Sequence, residues 1–299
     1  MTPPRVRLLN FVIRHTAKRR LAACRTPLEL RAVFDSSLTL VPPGARHAPD
    51  EIGGVPGEWT RAARGGGAAG TLVYLHGGGY VAMSAKTHRS ITAGFALRGF
   101  RVFAPNYRLA PEHTFPAALD DATAAWRALR AQVEGPMFLA GDSAGGGLAL
   151  ALMLNLRDLG APGPTAACLF SPWTDLVGTG ASIAANRNRD PLLTMDGIED
   201  LVAVYAGGVD PRTPLISPLF GDFAGLAPMI VFVGDTELLL DDSRQLADRA
   251  ARAGVPVDLR VYPDMPHVWP TMNVFLREGR RALDEAAAFL KGAEGEAAG

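Results

Sequence analysis

The chain has 299 residues, and its 30 Lys plus Arg balance 30 Asp plus Glu, so the formal net charge is zero. This balance argues against a general binder of nucleic acid or of another polyanion. The length allows a large core and exceeds the usual size of one domain, and since α/β folds of this length often form one body with an attached lid, we expect two unequal parts. The apolar run LALALMLNL at 148–156 is well under the roughly 20 residues of a membrane span, so no span is predicted.

The N-terminal region is basic, because residues 1–31 carry several Arg and Lys but a single acid, Glu29. Its apolar run, LLNFVI, is short and is followed at once by Arg14, which is unlike a secretory signal, so we expect a cytoplasmic protein. Helical spacing from Val6 and the Thr-Pro start at Thr26 predict two helices. The first could lie on an anionic membrane surface, but packing of its apolar stripe on the main body is favoured.

The two cysteines, Cys24 and Cys168, are too few for a disulfide framework, and neither has the His or Cys neighbours of a zinc site. We interpret both as small buried apolar residues and expect no metal and no organic cofactor.

From residue 71 onward, short apolar runs alternate with helical stretches. The strand candidates are TLVYLH, FRVFAP, PMFLAG, AACLFSP, MIVFVG and VDLRVYP. Their continuous apolarity predicts a mostly parallel, doubly wound sheet that is covered on both faces. Segment 42–57 is interpreted as a connector, with an antiparallel edge strand at 52–62. Helices are predicted at 86–98, 116–132, 144–159, 241–253 and 275–291.

Two features lie outside this alternation. Segment 178–208 follows a strand and interrupts the rhythm with small and polar residues, which is where a lid belongs. The last strand candidate, VPVDLRVY, would leave an open sheet edge, and an open edge predicts a homodimer through that strand.

The stretch FLAGDSAGGGLALALML predicts a catalytic nucleophile. A strand ends at Gly141, Ser143 lies in Gly-x-Ser-x-Gly, and a helix starts at once, which is the context of a nucleophile elbow. Gly141 and Gly145 are needed because a side chain would collide with the tight turn. The N–H of Ala144, at the helix start, is a candidate oxyanion donor.

The glycines of VYLHGGGYVAMS form the second motif. They follow an apolar strand and leave backbone N–H groups open to approach, so Gly78 and Gly79 are the candidate oxyanion donors. A nucleotide site is the functional rival, but the Lys-Ser/Thr ending of a P-loop is missing.

A general base is expected among six histidines. His267, in YPDMPHVWPT, lies after the last strand and before the last helix, which is the place of the base in the chain order Ser, acid, His. His76 is committed to the glycine loop, where it is interpreted as a structural hydrogen-bonding residue. His267 would take the proton of Ser143 and return it to the leaving group.

Several independent motifs carry a family resemblance. HGGGY, NYRLAPEHTFPAALDD, GDSAGGGLA, SPWTDL, SPLFGDFAGLAPMIVFVGD and MPHVW resemble the bacterial hormone-sensitive-lipase-like branch, family IV, of the α/β-hydrolases over residues 25–290. The resemblance implies an α/β-hydrolase fold and a serine esterase. It also implies that residues 107–112, YRLAPE, form a structural scaffold.

The domain organisation follows from the same resemblance and the segmentation. Segments 1–44 and 178–208 would form a helical cap, and 45–177 with 209–292 the catalytic domain. Residues 293–299, rich in Ala and Gly, are expected to form a flexible tail.

The acid must come from VGDTELLLDDSR. Asp241 and Asp242 precede a helix, where carboxylates cap free N–H groups, so their structural interpretation is favoured. The family pattern is a catalytic Asp followed by Pro, Leu, any residue and Asp. Registering its second Asp on Asp241 places the acid at Glu237, with Leu238 where Pro is usual. Asp235, which directly follows the strand, remains the alternative.

These residues predict a serine carboxylesterase that hydrolyses short- to medium-chain acyl esters through an acyl-enzyme. An amide or acetyl hydrolase and a lipase would use the same atoms. A receptor that keeps the pocket without catalysis is the rival from another class, and the presence of His267 beside Ser143 argues against it.

Overall fold

The computed structural model describes residues 3–36, 39–194 and 196–296. Three helices open the chain: α1 (Pro4–His15), α2 (Ala17–Ala23) and α3 (Pro27–Asp35). The prediction of two helices here was wrong, because the first is broken at Thr16, whose hydroxyl donates to the carbonyl of Val12 at 2.7 Å. The predicted start of α3 is confirmed, since the Thr26 side chain accepts from the N–H of Glu29.

Within the described residues, eight strands form one sheet. They are β1 (Ala45–Ile52), β2 (Val55–Ala62), β3 (Thr71–Leu75), β4 (Arg101–Pro105), β5 (Met137–Asp142), β6 (Ala167–Phe170), β7 (Met229–Gly234) and β8 (Val257–Tyr262). Their order is β1-β2-β4-β3-β5-β6-β7-β8, antiparallel from β1 to β4 and parallel beyond. Every residue of β3, β5, β6 and β7 is buried, which confirms the predicted parallel core.

The interpretation of 42–57 as a connector was wrong. β1 lies within it, and Gly53 and Gly54, at φ +62° and +78°, join it to β2 in a hairpin. Its sequence, ARHAPDEI, is polar because the strand lies at the edge and is mostly exposed, so the hydrophobic pattern gave no signal.

Helices cover both faces of the sheet. They are α4 (Arg89–Ala96), α5 (Ala117–Gln132), α6 (Ala144–Asp158), α7 (Ser182–Ala185), α8 (Ile198–Ala206), α9 (Leu240–Arg252) and α10 (Arg277–Glu296), with two short 3-10 helices at Pro218–Phe220 and Trp269–Met272. Helices α5, α6 and α9 pack in one apolar cluster with the sheet, and α4 and α10 in another on the opposite face. The predicted doubly wound α/β architecture is confirmed.

The last helix is longer than predicted. It continues to Glu296, so the predicted flexible tail, 293–299, overlaps the helix for its first four residues. Residues 297–299 lie outside the described residues.

The N-terminal helices and the 178–208 segment lie together on the body. In α1, Val6 and Ile13 are buried, so the predicted stripe does face the protein. The Lys18 ammonium donates to the carbonyl of Asp190 at 2.7 Å, joining α2 to the 178–208 segment. Within the described part of the chain, no helix has the length and apolarity to cross a bilayer.

Candidate active site

Ser143 occupies the turn between β5 and α6. Its backbone has φ +53° and ψ −124°, a region that non-glycine residues rarely adopt. Its N–H donates to the carbonyl of Phe170 at 2.9 Å, and its carbonyl accepts from the N–H of Trp173 at 2.9 Å. These bonds hold the strained turn, which presents the serine at the carboxyl edge of the sheet.

The two flanking glycines permit this turn. A Cβ on Gly141 would lie 2.3 Å from the carbonyl oxygen of Gly145, and one on Gly145 would lie 2.2 Å from that of Leu75. Both contacts are with backbone oxygens, which could move only if the backbone itself shifted. The predicted need for glycine at these positions is therefore confirmed.

Gly78 and Gly79 line the same cavity as Ser143. Their φ angles are +115° and +64°. Among the described residues, no acceptor takes the N–H groups of Gly78, Gly79 or Ala144. The three predicted donors are thus free to bind a ligand oxygen.

Glu237 and His267 form a buried pair. Oε2 of Glu237 lies 2.7 Å from Nδ1 of His267. Oε1 accepts from the N–H of Gly234 at 2.6 Å and from the hydroxyl of Ser171 at 2.8 Å. Ser171 was not singled out as a site residue, although it begins the SPWTDL motif.

The environment of this pair sets its protonation. Burial opposes the imidazolium of His267, but the hydrogen bond and charge of Glu237 outweigh it and raise the pKa of the imidazole above its ordinary value. Burial raises the pKa of Glu237, against the opposing effect of His267. Nε2 of His267 is buried and has no hydrogen-bond partner in the described part of the chain, and the ring lines the cavity that Ser143 also lines. One imidazole nitrogen is therefore held by the carboxylate, and the other is available for a proton.

Asp235, the alternative acid, binds the backbone of the loop after β8. Its Oδ1 accepts from the N–H of Asp264 at 2.6 Å and closes the loop after β8. The geometry pairs His267 with Glu237 and not with the alternative acid.

Asp241 and Asp242 lie in the first turn of α9, as expected. The expectation that they cap this helix was wrong, because their oxygens accept from other segments. Oδ2 of Asp241 accepts from the N–H of Ser182 at 2.8 Å, and Oδ2 of Asp242 from those of Thr174 and Asp175 at 2.8 and 2.9 Å. Both carboxylates are structural.

A second buried network supports the glycine loop, and the sequence interpretation did not identify it. Oδ1 of Asp142 accepts from the hydroxyl of Tyr74 at 2.7 Å and from the N–H of Gly77 at 3.1 Å. Nε2 of His88 lies 3.2 Å from the same carboxylate. Burial disfavours both charges, yet each partner stabilises the other, so the pKa of Asp142 is lowered and that of His88 is raised. The only sequence signal was the position of Asp142 directly before the nucleophile.

His76 and the YRLAPE segment complete the support. Nδ1 of His76 bonds to the carbonyl of Gly77 at 2.7 Å, and burial is the main cause that lowers its pKa to about 3. Its ring stacks on Tyr107, whose hydroxyl donates to the carbonyl of His76 at 2.5 Å. The predicted structural roles of His76 and of this segment are consistent with these contacts.

The cavity above Ser143 has a volume of ≈ 410 Å³. The N-terminal helices and α8 roof it with apolar side chains, and Cys24, which we expected to be buried, is half-buried in its wall. These apolar residues include Leu21, Leu30, Phe34, Leu193, Ile198, Leu201 and Val204. Within residues 3–36, 39–194 and 196–296, no group of three or more His, Cys, Asp or Glu side chains is arranged to hold a metal ion.

Comparison with known proteins shows the family of the chain. A family model described as alpha/beta hydrolase fold matches residues 72–271. An acetyl-hydrolase of Streptomyces hygroscopicus is 45% identical over 248 residues, 82% of each chain. An esterase of Acinetobacter venetianus is 34% identical over 288 residues, 94% of this chain and 93% of the relative.

Solved structures agree over nearly the whole chain. The esterase EstE5 superposes with a TM-score of 0.93 at 35% identity, covering 98% of this chain and 100% of that one. An esterase of the bacterial hormone-sensitive lipase family gives a TM-score of 0.89 at 38% identity, covering 98% and 99%. The chain therefore belongs to the α/β-hydrolase-fold family, in its bacterial hormone-sensitive-lipase-like branch.

Proposed function

We propose that the protein is a serine carboxylesterase that hydrolyses short- to medium-chain acyl esters. The observation that carries the proposal is the buried Glu237–His267 pair, whose free Nε2 and Ser143 line one cavity with two unpaired glycine N–H groups. The names of the similar proteins, esterase and acetyl-hydrolase, support the same chemistry.

The reaction proceeds in two halves. Oγ of Ser143 attacks the ester carbonyl carbon while Nε2 of His267 takes its proton, and the N–H groups of Gly78, Gly79 and Ala144 bind the oxyanion. The tetrahedral intermediate expels the alkoxide, which receives the proton from Nε2 and leaves an acyl group on Ser143. Water then attacks the acyl carbon while Nε2 of His267 takes its proton, and collapse of the second tetrahedral intermediate breaks the bond to Oγ, releases the carboxylic acid and returns the proton to Oγ of Ser143. Glu237 holds the imidazole and stabilises the imidazolium in both halves.

The direct test is Ser143→Ala, assayed on a p-nitrophenyl ester of a short acid. Turnover should be lost while the melting temperature stays near that of the wild type. Ser36→Ala, at the exposed end of α3, is the control and should retain activity. Undiminished hydrolysis by the Ser143 variant would refute the proposal.

The cavity supports the acyl-size proposal. Its ≈ 410 Å³ is small and largely apolar, which suits short and medium acyl groups. Acetyl esters or amides would be processed by the same atoms, and an ester panel that varies acyl and alcohol size separately distinguishes these substrates. A receptor would instead bind an ester without turnover.

An interfacial lipase is the second candidate, and one observation favours it. Leu8 and Phe11 of α1 are 65% and 59% exposed beside arginines, as expected of a helix that lies on an anionic lipid surface. Activity on a short ester should rise on adding anionic vesicles if this candidate is correct. Unchanged activity favours the soluble-ester proposal.

We also propose a cytoplasmic location and a homodimer through β8. This strand pairs with β7 alone, and its outer edge is open among the described residues. Light scattering should give about twice the 31.6 kDa of one chain. A monomer mass would refute the dimer.

A further inference from the structure

We propose that Asp190, in the 178–208 segment, is a positioning residue for the triad acid: it holds the acid loop, residues 235–239, through the backbone of Leu238. The inference rests on the proposed function, because it assigns Glu237 the role given above. It makes the 178–208 segment part of the catalytic framework as well as a cover of the cavity.

The carboxylate of Asp190 is wholly buried and shared between two segments. Its Oδ2 accepts from the N–H of Leu238 at 2.9 Å. Its Oδ1 accepts from the N–H groups of Leu192 and Leu193 at 2.8 Å each. A buried carboxylate is costly unless its oxygens are satisfied, so this charge requires the acid loop to stay in place.

The same segment also holds the carbonyl side of the loop. Nδ2 of Asn186 donates to the carbonyl of Glu237 at 2.8 Å and to that of Asp235 at 3.1 Å. The hydroxyl of Ser182 donates to the carbonyl of Leu238 at 2.6 Å. Donors and acceptors of the loop backbone are thus both bound by residues of the 178–208 segment.

The residue types of the loop agree with this arrangement. Leu238 stands where the family pattern has Pro, and a proline has no N–H to give to Asp190. Glu237 has one methylene more than Asp, so its Oε2 reaches Nδ1 of His267 at 2.7 Å through a side chain with one more rotatable bond. The backbone position of the loop therefore affects how the longer side chain meets His267, and the Asp190 bond helps to fix that position at Leu238.

The charge of Asp190 also reaches the base. The carboxylates that act on His267 are those of Glu237, Asp190 and Asp142, and all three favour the imidazolium against burial. Lys18 faces Asp190 from α2, and His88 is paired with Asp142. Removing the charge of Asp190 while leaving these others intact should lower the pKa of His267.

Asp190→Asn is the principal test, measured by kcat, KM and the pH profile of kcat/KM. An asparagine can keep Oδ1 toward Leu192 and Leu193, but its NH₂ then faces the N–H of Leu238, and the loop must shift. We expect kcat to fall by about 10- to 100-fold with KM nearly unchanged. A displacement of the catalytic groups by about 1 Å has an effect of this size. The acid limb of the profile should move to lower pH.

Asp175→Asn is the matched control. Asp175 is equally buried and lies just before the same segment, but its carboxylate accepts from the N–H groups of Val177, Gly178 and Thr179. The Asp175→Asn variant should lose about as much stability as Asp190→Asn, but the acid limb of its kcat/KM profile should stay where it is in the wild type. Equal profiles for the Asp175 and Asp190 variants, or a folded Asp190→Asn enzyme with wild-type kcat and acid limb, would overturn the inference.

Leu238→Pro provides a second test if Asp190→Asn does not fold. It removes the donor but keeps the charge, so kcat should fall while the acid limb stays. In the Asp190→Asn, Leu238→Pro double variant, the NH₂ of the asparagine no longer faces a backbone N–H at position 238. The fold-loss of kcat in the double variant should therefore be smaller than the product of the two single fold-losses. Wild-type kcat in a folded Leu238→Pro enzyme would contradict the inference. Because Ser143→Ala tests the esterase proposal separately, failure of one proposal is distinguishable from failure of the other.

Discussion

Oε2 of Glu237 lies 2.7 Å from Nδ1 of His267, and both side chains are buried beneath the cavity. A carboxylate at this distance accepts the Nδ1 proton, so the lone pair of the neutral ring is on Nε2. Since Oε1 is already bound by Gly234 and Ser171, the carboxylate cannot turn away from the ring.

Glu237→Gln should therefore abolish most activity. Oε1 faces two donors, so the glutamine oxygen would take that position and the NH₂ would face Nδ1 of His267. That forces the proton onto Nε2, which is the wrong tautomer for a base. We expect kcat to fall by about 10²- to 10⁴-fold on a short p-nitrophenyl ester.

Asp235→Asn is the counterpart. Its Oδ1 accepts a single N–H from Asp264, and an asparagine oxygen can do the same, so activity should stay near that of the wild type. The opposite ranking of the two variants would reassign the acid to Asp235.

The pH profile follows from the raised pKa of His267. The base must be neutral, so activity is lost as pH falls through this pKa, which lies above the ordinary value of about 6.5. The acid limb of kcat/KM should therefore have its midpoint above pH 6.5. In Glu237→Gln the charge that favours imidazolium is gone and burial remains, so the limb should move to lower pH. A wild-type midpoint below 6.5 would contradict the assignment.

Gly78 and Gly79, the two glycines proposed as oxyanion donors, should differ in how well they tolerate substitution by alanine. A Cβ on Gly78 would lie 2.2 Å from the carbonyl oxygen of Ala82, whereas the nearest atom for Gly79 is Cδ2 of Leu201 at 2.8 Å, the end of a flexible side chain. Gly78→Ala must displace backbone, and we expect a loss of about 10²- to 10³-fold in kcat, the effect of removing an oxyanion donor.

Gly79→Ala should lose less, since φ +64° is accessible to alanine at a cost of about 1 kcal/mol. Steady-state kinetics and melting temperatures of the two variants provide the comparison. A greater loss of kcat at Gly79 would show that the Leu201 side chain, and not the loop backbone, is the rigid contact.

The apolar runs of the sequence predicted the buried strands of the sheet. The apolar runs that became β3, β5, β6 and β7 were readable because both faces of each strand are buried. Strand β1 was not, because an exposed edge strand needs no apolar pattern.

The residues of the site also differ in whether a local sequence pattern marks them. Ser143, the glycine loop and His267 each carry a local signature, and Glu237 was chosen by register against the family pattern. The His88–Asp142 pair joins residues 54 positions apart, and the Asp190–Leu238 bond joins residues 48 apart. Neither leaves a periodicity or a motif, because such contacts depend on how the segments pack in three dimensions.

Acyl-chain selectivity should depend on Leu201. This α8 side chain lines the cavity directly above the glycine loop, so Leu201→Ala enlarges the space beside the reacting carbonyl. The ratio of kcat/KM for an octanoyl ester to that for an acetyl ester should rise severalfold, since each added methylene that becomes buried contributes about 0.8 kcal/mol. Val209→Ala, an exposed site just beyond α8, is the control and should leave the ratio unchanged. If the two variants share the wild-type ratio, the acyl group does not bind beneath α8.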